Sequence, residues 1–303
     1  MTICYQPARS MNPARVGSDT AATTSTRTRR DLEKRRPTDQ SGATDAPPIV
    51  VSIVMPCRDE AASVGACVQS AFEGLKRLGV VGEVIVADNG SRDMSRLIAH
   101  REGARVISTT PAGYGAAIAG GIAAAHGTFV IVGDSDGTYD FTDLTLFWAR
   151  LQAGDDLVVG NRFAGHIAPG AMPFLNRYLG NPVLSAIGRR VFQVSVGDFH
   201  CGLRAFRRDS IASLHLECAG MEFATEMVAV AALNKLHVSE VPTGLSRALP
   251  TRTPHLRPWR DGLRHLRLML QLRRANTNRK ATPKPRTGAH PTAHAVVAAT
   301  GAD

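Results

Sequence analysis

Three features of this chain point to an open, Rossmann-like α/β sheet, mostly parallel, in a single domain with helices on both faces. Apolar, β-branched runs alternate with helical stretches along the sequence. The runs are near-continuous rather than alternating, as strands buried on both faces require. Each run ends in a polar or acidic cluster, which puts the chemistry at the carboxyl ends of the strands, where such sheets bind ligands.

The elements follow in order. Ile49 to Pro56 reads as the first strand, closed by Cys57-Arg58-Asp59-Glu60, and Ala61 to Leu78 as the helix after it. Glu83 to Ala87 forms a second strand ending in Asp88-Asn89-Gly90-Ser91. Ala104 to Ser108 is a third, ahead of Gly113-Tyr114-Gly115 and a small-residue helix through His126. The fourth starts near Val130 and stops at Asp134-Ser135-Asp136, and the fifth runs from Asp156 to Gly160, ahead of Arg162. Pro173 to Phe192 is a helix-rich excursion with Arg177, Arg189 and Arg190; the chain then turns back at Asp198 to Gly202. Met221 to Leu236 is a strong helix in which Glu222 and Glu226, one turn apart, share a face.

The acid pair is the most informative of these clusters. Two carboxylates delivered to one point at a strand end suit a hard divalent cation, which takes oxygen ligands and keeps positions open for substrate phosphates. Such an ion, acting as a Lewis acid, neutralises charge growing on a leaving diphosphate. If the acceptor is a phosphate monoester, with a second pKa near 6, it is already an anionic nucleophile at neutral pH and needs no strong general base. Cationic groups are then needed to hold it, and Arg162 and Arg204 are the candidates. A rival reading takes Gly113-x-Gly115 with a following helix as the dinucleotide fingerprint of a nicotinamide oxidoreductase. Against it, Ile118 stands at the third glycine position and Thr109 to Ala112 separate the strand from the first glycine.

The ordered set formed by Pro56 with Glu60, Asp88-Asn89-Gly90-Ser91, Asp134-x-Asp136, Gly160 to Phe163, and Asp198 to Phe206 resembles the family-two glycosyltransferases of GT-A fold. More narrowly, it resembles the branch that makes polyprenyl-phosphate sugars, such as dolichyl-phosphate mannose and glucose synthases. The resemblance covers about Val50 to Leu270. It implies that Pro56, Arg58, Glu60, Asp88, Asn89, Gly113 and Gly115 bind a donor of the UDP-glucose or GDP-mannose type, with Asp88 on the base. It implies also that Asp134 and Asp136 hold Mg²⁺ or Mn²⁺. The chain departs from the branch at Thr138, where Gln is frequent, and at Tyr114, where a basic residue is common; Asp140 is a substitute third metal ligand. The implied reaction is inverting hexose transfer to a polyprenyl phosphate. The alternatives are a soluble acceptor and a catalytically silent membrane-surface binding protein.

Net charge is +10 over 303 residues, and it is unevenly placed. Residues 1–47 carry eight basic and five acidic side chains, 48–246 sixteen and nineteen, and 247–303 twelve and two. The expected organisation is a disordered tail at 1–47, a transferase domain at 48–246, a basic amphipathic extension at 247–275 and a second disordered tail at 276–303. In the extension Trp259, Leu263, Leu266 and Leu270 fall on one helical stripe among arginines, far short of the about 20 apolar residues that span a bilayer. That favours an anionic membrane surface over nucleic acid as partner, the rival being a helix that packs its leucines on the core. Met1 to Ser10 has no signal-peptide pattern, and five scattered cysteines suit a reducing compartment without zinc. The expected location is therefore the cytoplasmic face of the cell membrane, bound peripherally.

Overall fold

The sheet grows outward from β1 (Val51–Cys57), whose seven residues are all buried. The computed structural model describes residues 48–248 and 258–281, the side chains of 258–261 and 278–281 excepted. In chain order the elements are α1 (Val64–Leu78), β2 (Gly82–Asp88), α2 (Ser95–Arg101), β3 (Arg105–Ser108), α3 (Tyr114–Ala124), β4 (Phe129–Val132), α4 (Thr145–Gln152) and β5 (Leu157–Asn161). A π-helical turn (Asn176–Gly180) leads into α5 (Asn181–Phe192), followed by β6 (Arg204–Arg207), α6 (Arg208–Ala212), α7 (Phe223–Leu233), β7 (Val238–Pro242) and α8 (Pro258–Ala281). The seven strands are ordered β3-β2-β1-β4-β6-β5-β7. Pairing is parallel except around β6, which runs antiparallel to both β4 and β5.

This order explains where a ligand fits. From β1 the chain winds outward through β2 to β3, then returns to place β4 on the other side of β1. The crossovers leave a crevice between the carboxyl ends of β1 and β4, the switch point at which open sheets bind their ligands. Cys57 pairs with Asp88 and Val54 with Val132, so the clusters after β1, β2 and β4 share one edge. The core beneath is continuous, with Ile53, Met55, Ile85, Ile131, Phe141 and Phe206 fully buried.

All five expected strands form, their ends shifted by a residue or two. The expected tails at 1–47 and 282–303 lie outside the described residues, but 276–281 do not: α8 continues past the anticipated boundary at 275 to Ala281. Nor is the extension separate from the domain, since α8 packs on α7 and α5. Its buried stripe is His265 and Met269, with Leu272 partly buried beside them, whereas Leu263 and Leu270 face outward. The leucines expected to meet either core or membrane are thus not the residues that meet the core. Among the described residues no helix is long and apolar enough to cross a membrane.

Candidate active site

The acid pair sits two residues beyond β4, on a turn held from several sides. Ser135 points inward and donates to the Pro56 carbonyl at 2.8 Å, so the side chains flanking it are turned to the crevice. Ser63, at the start of α1, donates its hydroxyl to the Ser135 carbonyl at 2.8 Å instead of capping its own helix. Gly137 closes the turn at φ +80, a conformation that favours glycine. Thr138 donates from its amide (3.1 Å) and hydroxyl (2.6 Å) to Asp136 Oδ1, which fixes that carboxylate. The Thr138 carbonyl accepts from the Ser246 amide at 2.8 Å, bringing the segment after β7 alongside.

Asp134 is placed by the antiparallel strand. The register that pairs Val132 with Arg204 carries the chain past Gly202, where an added Cβ would lie 2.6 Å from Asp134 Oδ2. Tyr114 hydrogen-bonds Asp134 from the other side; burial first, then that carboxylate, drive its phenol well above its ordinary pKa, so it stays protonated and donates. Gly202→Ala is therefore expected to push Asp134 aside and lower turnover about 100-fold with little loss of stability, as expected when a group near the reacting atoms moves by about 1 Å. Paired measurements of turnover and melting temperature check it, and unchanged turnover would contradict the placement of Asp134.

The nucleotide-side candidates gather at the same edge. Asp88, nearly inaccessible, ends β2 and accepts from the amides of Gly90 (3.3 Å) and Ser91 (3.2 Å), with Arg96 at 3.9 Å. Glu60 is buried in the loop after β1, its amide donating to Ser95 Oγ, while Arg58 is exposed. Asn89 is a clamp: its amide group donates to Thr109 and Pro111, and its Oδ1 accepts from the Gly113 amide at 2.6 Å. Gly113 and Gly115 are required first by close packing. A Cβ there would lie 2.2 Å from the Ala219 and Cys218 carbonyls respectively, so the glycines let α3 pack against the segment leading into α7.

Residues 52–214 match the glycosyl transferase family 2 over more than half of the chain. The chain belongs to this family. Relatives include the low-salt glycan biosynthesis hexosyltransferase Agl6 of Haloferax volcanii, 35% identical over 73% of this chain and 53% of that protein. The chain thus spans about half the length of Agl6. From the same organism, the dolichyl-phosphate hexose transferase is 30% identical over 63% of this chain and 81% of that protein. Among solved structures, glucosyl-3-phosphoglycerate synthase of Mycobacterium tuberculosis with Mn²⁺ and UDP-glucose aligns with TM-score 0.56 at 23% identity, over 74% of this chain and 79% of that one. At that identity the likeness shows the GT-A fold. Family membership, with the two glycines spent on helix packing, removes the oxidoreductase reading.

In this glycosyltransferase domain the arginines nominated for phosphate are committed elsewhere. Arg162 is buried and makes a two-pronged pair with Asp198, Nε to Oδ2 at 2.6 Å and Nη2 to Oδ1 at 2.8 Å. Burial pushes the Asp198 carboxyl up, but the Arg162 guanidinium prevails and holds it below the usual carboxylate range. Arg204 donates to the carbonyls of Cys201, Ala224 and Phe199 and braces the 199–203 turn against α7. Both arginines shape the wall that carries Gly202. Asp140 is exposed and accepts from the Thr142 amide at 2.8 Å; among the described residues no cluster of three or more metal-ligating side chains forms, so it does not complete a set with the acid pair.

The other polar candidates are also structural. Burial, reinforced by His265, pushes His200 down to about 3, so its ring is neutral, packed edge-on against His265 at 4.7 Å. Glu226 accepts from the amides of Glu217 and Cys218, and Glu222 pairs with Arg264 of α8. Burial of both rules out a solvated face. What sequence reasoning missed is Arg247, which it assigned to the basic extension rather than to the site. Arg247 is exposed, one residue from the Ser246–Thr138 contact, and its guanidinium lies over Gly170, where a Cβ would be 2.5 Å from Nη2. The only sequence signal was a lone Arg shortly after the run Val238–Pro242.

The donor set of the turn fits a divalent ion of the Mg²⁺ or Mn²⁺ kind. Such ions are held by one or two carboxylates, with substrate phosphates and water filling the rest of the shell. A two-acid site at a ligand crevice meets that description without a third protein ligand.

Proposed function

We propose that this domain transfers a hexose, with inversion, from a nucleoside diphospho-sugar to a polyprenyl phosphate at the cytoplasmic face of a membrane. The observation that carries the acceptor is that three acid-base side chains of the 198–226 segment are committed elsewhere: His200 is buried and neutral, while Glu222 and Glu226 are tied to Arg264 and to backbone amides. A hydroxyl acceptor needs a base to take its proton, whereas a phosphate monoester is already anionic. The dolichyl-phosphate hexose transferase relative supports the same reading.

In the proposed reaction an acceptor phosphate oxygen attacks the anomeric carbon as the bond from that carbon to the diphosphate breaks. The electron pair leaves on the β-phosphate oxygen. A divalent ion held by Asp134 and Asp136 would supply the positive charge that stabilises the leaving diphosphate. Arg247 and Arg58, both exposed, supply cationic groups at the crevice edge for the phosphates. Asp88, held by the Gly90 and Ser91 amides, keeps lone pairs for the base.

Calorimetric titration of UDP- and GDP-sugars in Mn²⁺ tests the donor half of this reading. One class should bind with Mn²⁺ and lose most of its affinity in chelator. Asp88→Ala should raise its dissociation constant about tenfold while kcat is nearly kept, because a contact remote from the breaking bond is lost equally from ground and transition states. Absence of metal-dependent binding by any nucleotide sugar would contradict the proposal, and a pure kcat effect would remove Asp88 from the base site.

A further inference from the structure

We propose that the elbow formed by the π-helical turn and the start of α5, together with the outer stripe of α8, docks this domain on an anionic lipid bilayer. The inference deepens the proposed lipid-phosphate transfer and rests on it. Phe174 is 78% exposed, Tyr178 61%, Leu179 51% and Val183 47%, an accumulation of large apolar side chains that a solvated elbow does not need. Phe174 and Tyr178 stack on each other at 4.7 Å, and the Arg177 guanidinium lies 5.5 Å from the Tyr178 ring centre. An aromatic pair beside a cation is the composition of a membrane-interface anchor, with apolar rings and a charge that stays with the headgroups.

α8 extends that surface. It packs against both α5 and the π-helical turn. Opposite its buried His265 and Met269 it exposes Leu263 (54%) and Leu270 (43%), seven residues apart on one face, with Arg267 and Arg274 beside them. The helix thus has two apolar stripes, of which the core covers one. Charge identifies what covers the other: residues 171–197 and 262–281 together hold nine Arg and Lys and no Asp or Glu. A nucleic acid would meet the arginines but leave the leucines and Phe174 in water, whereas an anionic bilayer accommodates both. The surface also lies close to the chemistry. Thr138 of the acid turn contacts Ser246, Arg247 covers Gly170, and the elbow begins at Phe174, a short route for a phosphate rising from headgroup level.

Vesicle flotation without any nucleotide sugar tests the surface independently of the reaction. The full chain should float with phosphatidylglycerol-containing vesicles, less with pure phosphatidylcholine, and less as salt rises, each basic residue near the surface contributing about fivefold in partitioning at low salt. The double variants Phe174→Ser/Leu179→Ser and Leu263→Ser/Leu270→Ser should each partition about tenfold or more weakly at unchanged melting temperature, and should keep transfer to a short-chain, water-soluble isoprenyl phosphate. Flotation of a variant equal to that of the parent, failure of the parent to float, or displacement of the parent from vesicles by duplex DNA would overturn the assignment. If flotation fails while short-chain transfer proceeds, the surface is wrong and the reaction stands; if flotation behaves as expected but no sugar is transferred, the reverse holds.

Discussion

Asp136→Asn should lower transfer on the order of 1000-fold or more, the scale of several kcal/mol of lost charge stabilisation at a metal-assisted step, with the fold intact. The substitution is isosteric, and the amide oxygen can still accept from the Thr138 amide and hydroxyl that now meet Oδ1. Only the formal charge is lost, and no core packing depends on it. Turnover and thermal melting measured on one preparation separate the cases. Near-normal activity would remove the acid pair from the chemistry, and failure to fold would make Asp136 a structural residue.

Asp198→Asn should have the largest effect on stability, a loss of about 3–5 kcal/mol, because it leaves the Arg162 guanidinium buried without its counter-charge. Replacing both partners by apolar residues, as in Arg162→Met/Asp198→Leu, should recover part of that loss, since the desolvation cost disappears with the charges. The pH dependence has a definite sign. The Asp198 carboxyl is held below its ordinary range in the folded protein, so its contribution is complete above the unfolded value of about 4 and is lost as pH falls through the lower folded value. Urea denaturation of parent and Asp198→Asn between pH 3 and 7, a range of about four units chosen to bracket that value, should therefore show the gap narrowing toward acid. A cost below about 1 kcal/mol, typical of an exposed pair, would return Arg162 to the list of substrate ligands.

The parallel half of the sheet was legible because its strands are buried on both faces and read as near-continuous apolar runs, as in Val51–Cys57, where Ser52 is the single hydroxyl among apolar residues. β6 was not. Its sequence, Arg204-Ala205-Phe206-Arg207, opens and closes on arginine, and only the structure shows that Arg204 is buried against three carbonyls. β7 is short and carries Glu240 and Pro242 in an edge position, which again hides it from a search for apolar runs. The acid turn could be read from strand-end position alone. Partners far apart in sequence could not: Arg162 with Asp198, Ser63 with Ser135, and Gly115 with Cys218 are each decided by the return of the chain after β5 or by a crossover. The same limitation hid the partners of Glu222 and Glu226, whose shared face was legible but which the chain uses to anchor α8 and the 217–218 amides.

Function was readable to the same depth as the site. Order and spacing of motifs reach the glycosyltransferase family, which residues 52–214 match. The acceptor depends on which groups remain available around the crevice, and that is a property of packing. Arg247 illustrates the point, since its proximity to the acid turn arises from one backbone contact, Ser246 to Thr138, that no local pattern announces.

The most direct measurement is transfer of labelled hexose from the nucleotide sugar selected by calorimetry, in Mn²⁺ and with undecaprenyl phosphate in detergent, followed by extraction into organic solvent. The proposal predicts label in the organic phase that requires both the divalent ion and the lipid phosphate, and that disappears with Asp136→Asn. Label that stays in the aqueous phase as a glycoside of a soluble acceptor, with none extracted at any lipid-phosphate concentration, would contradict it.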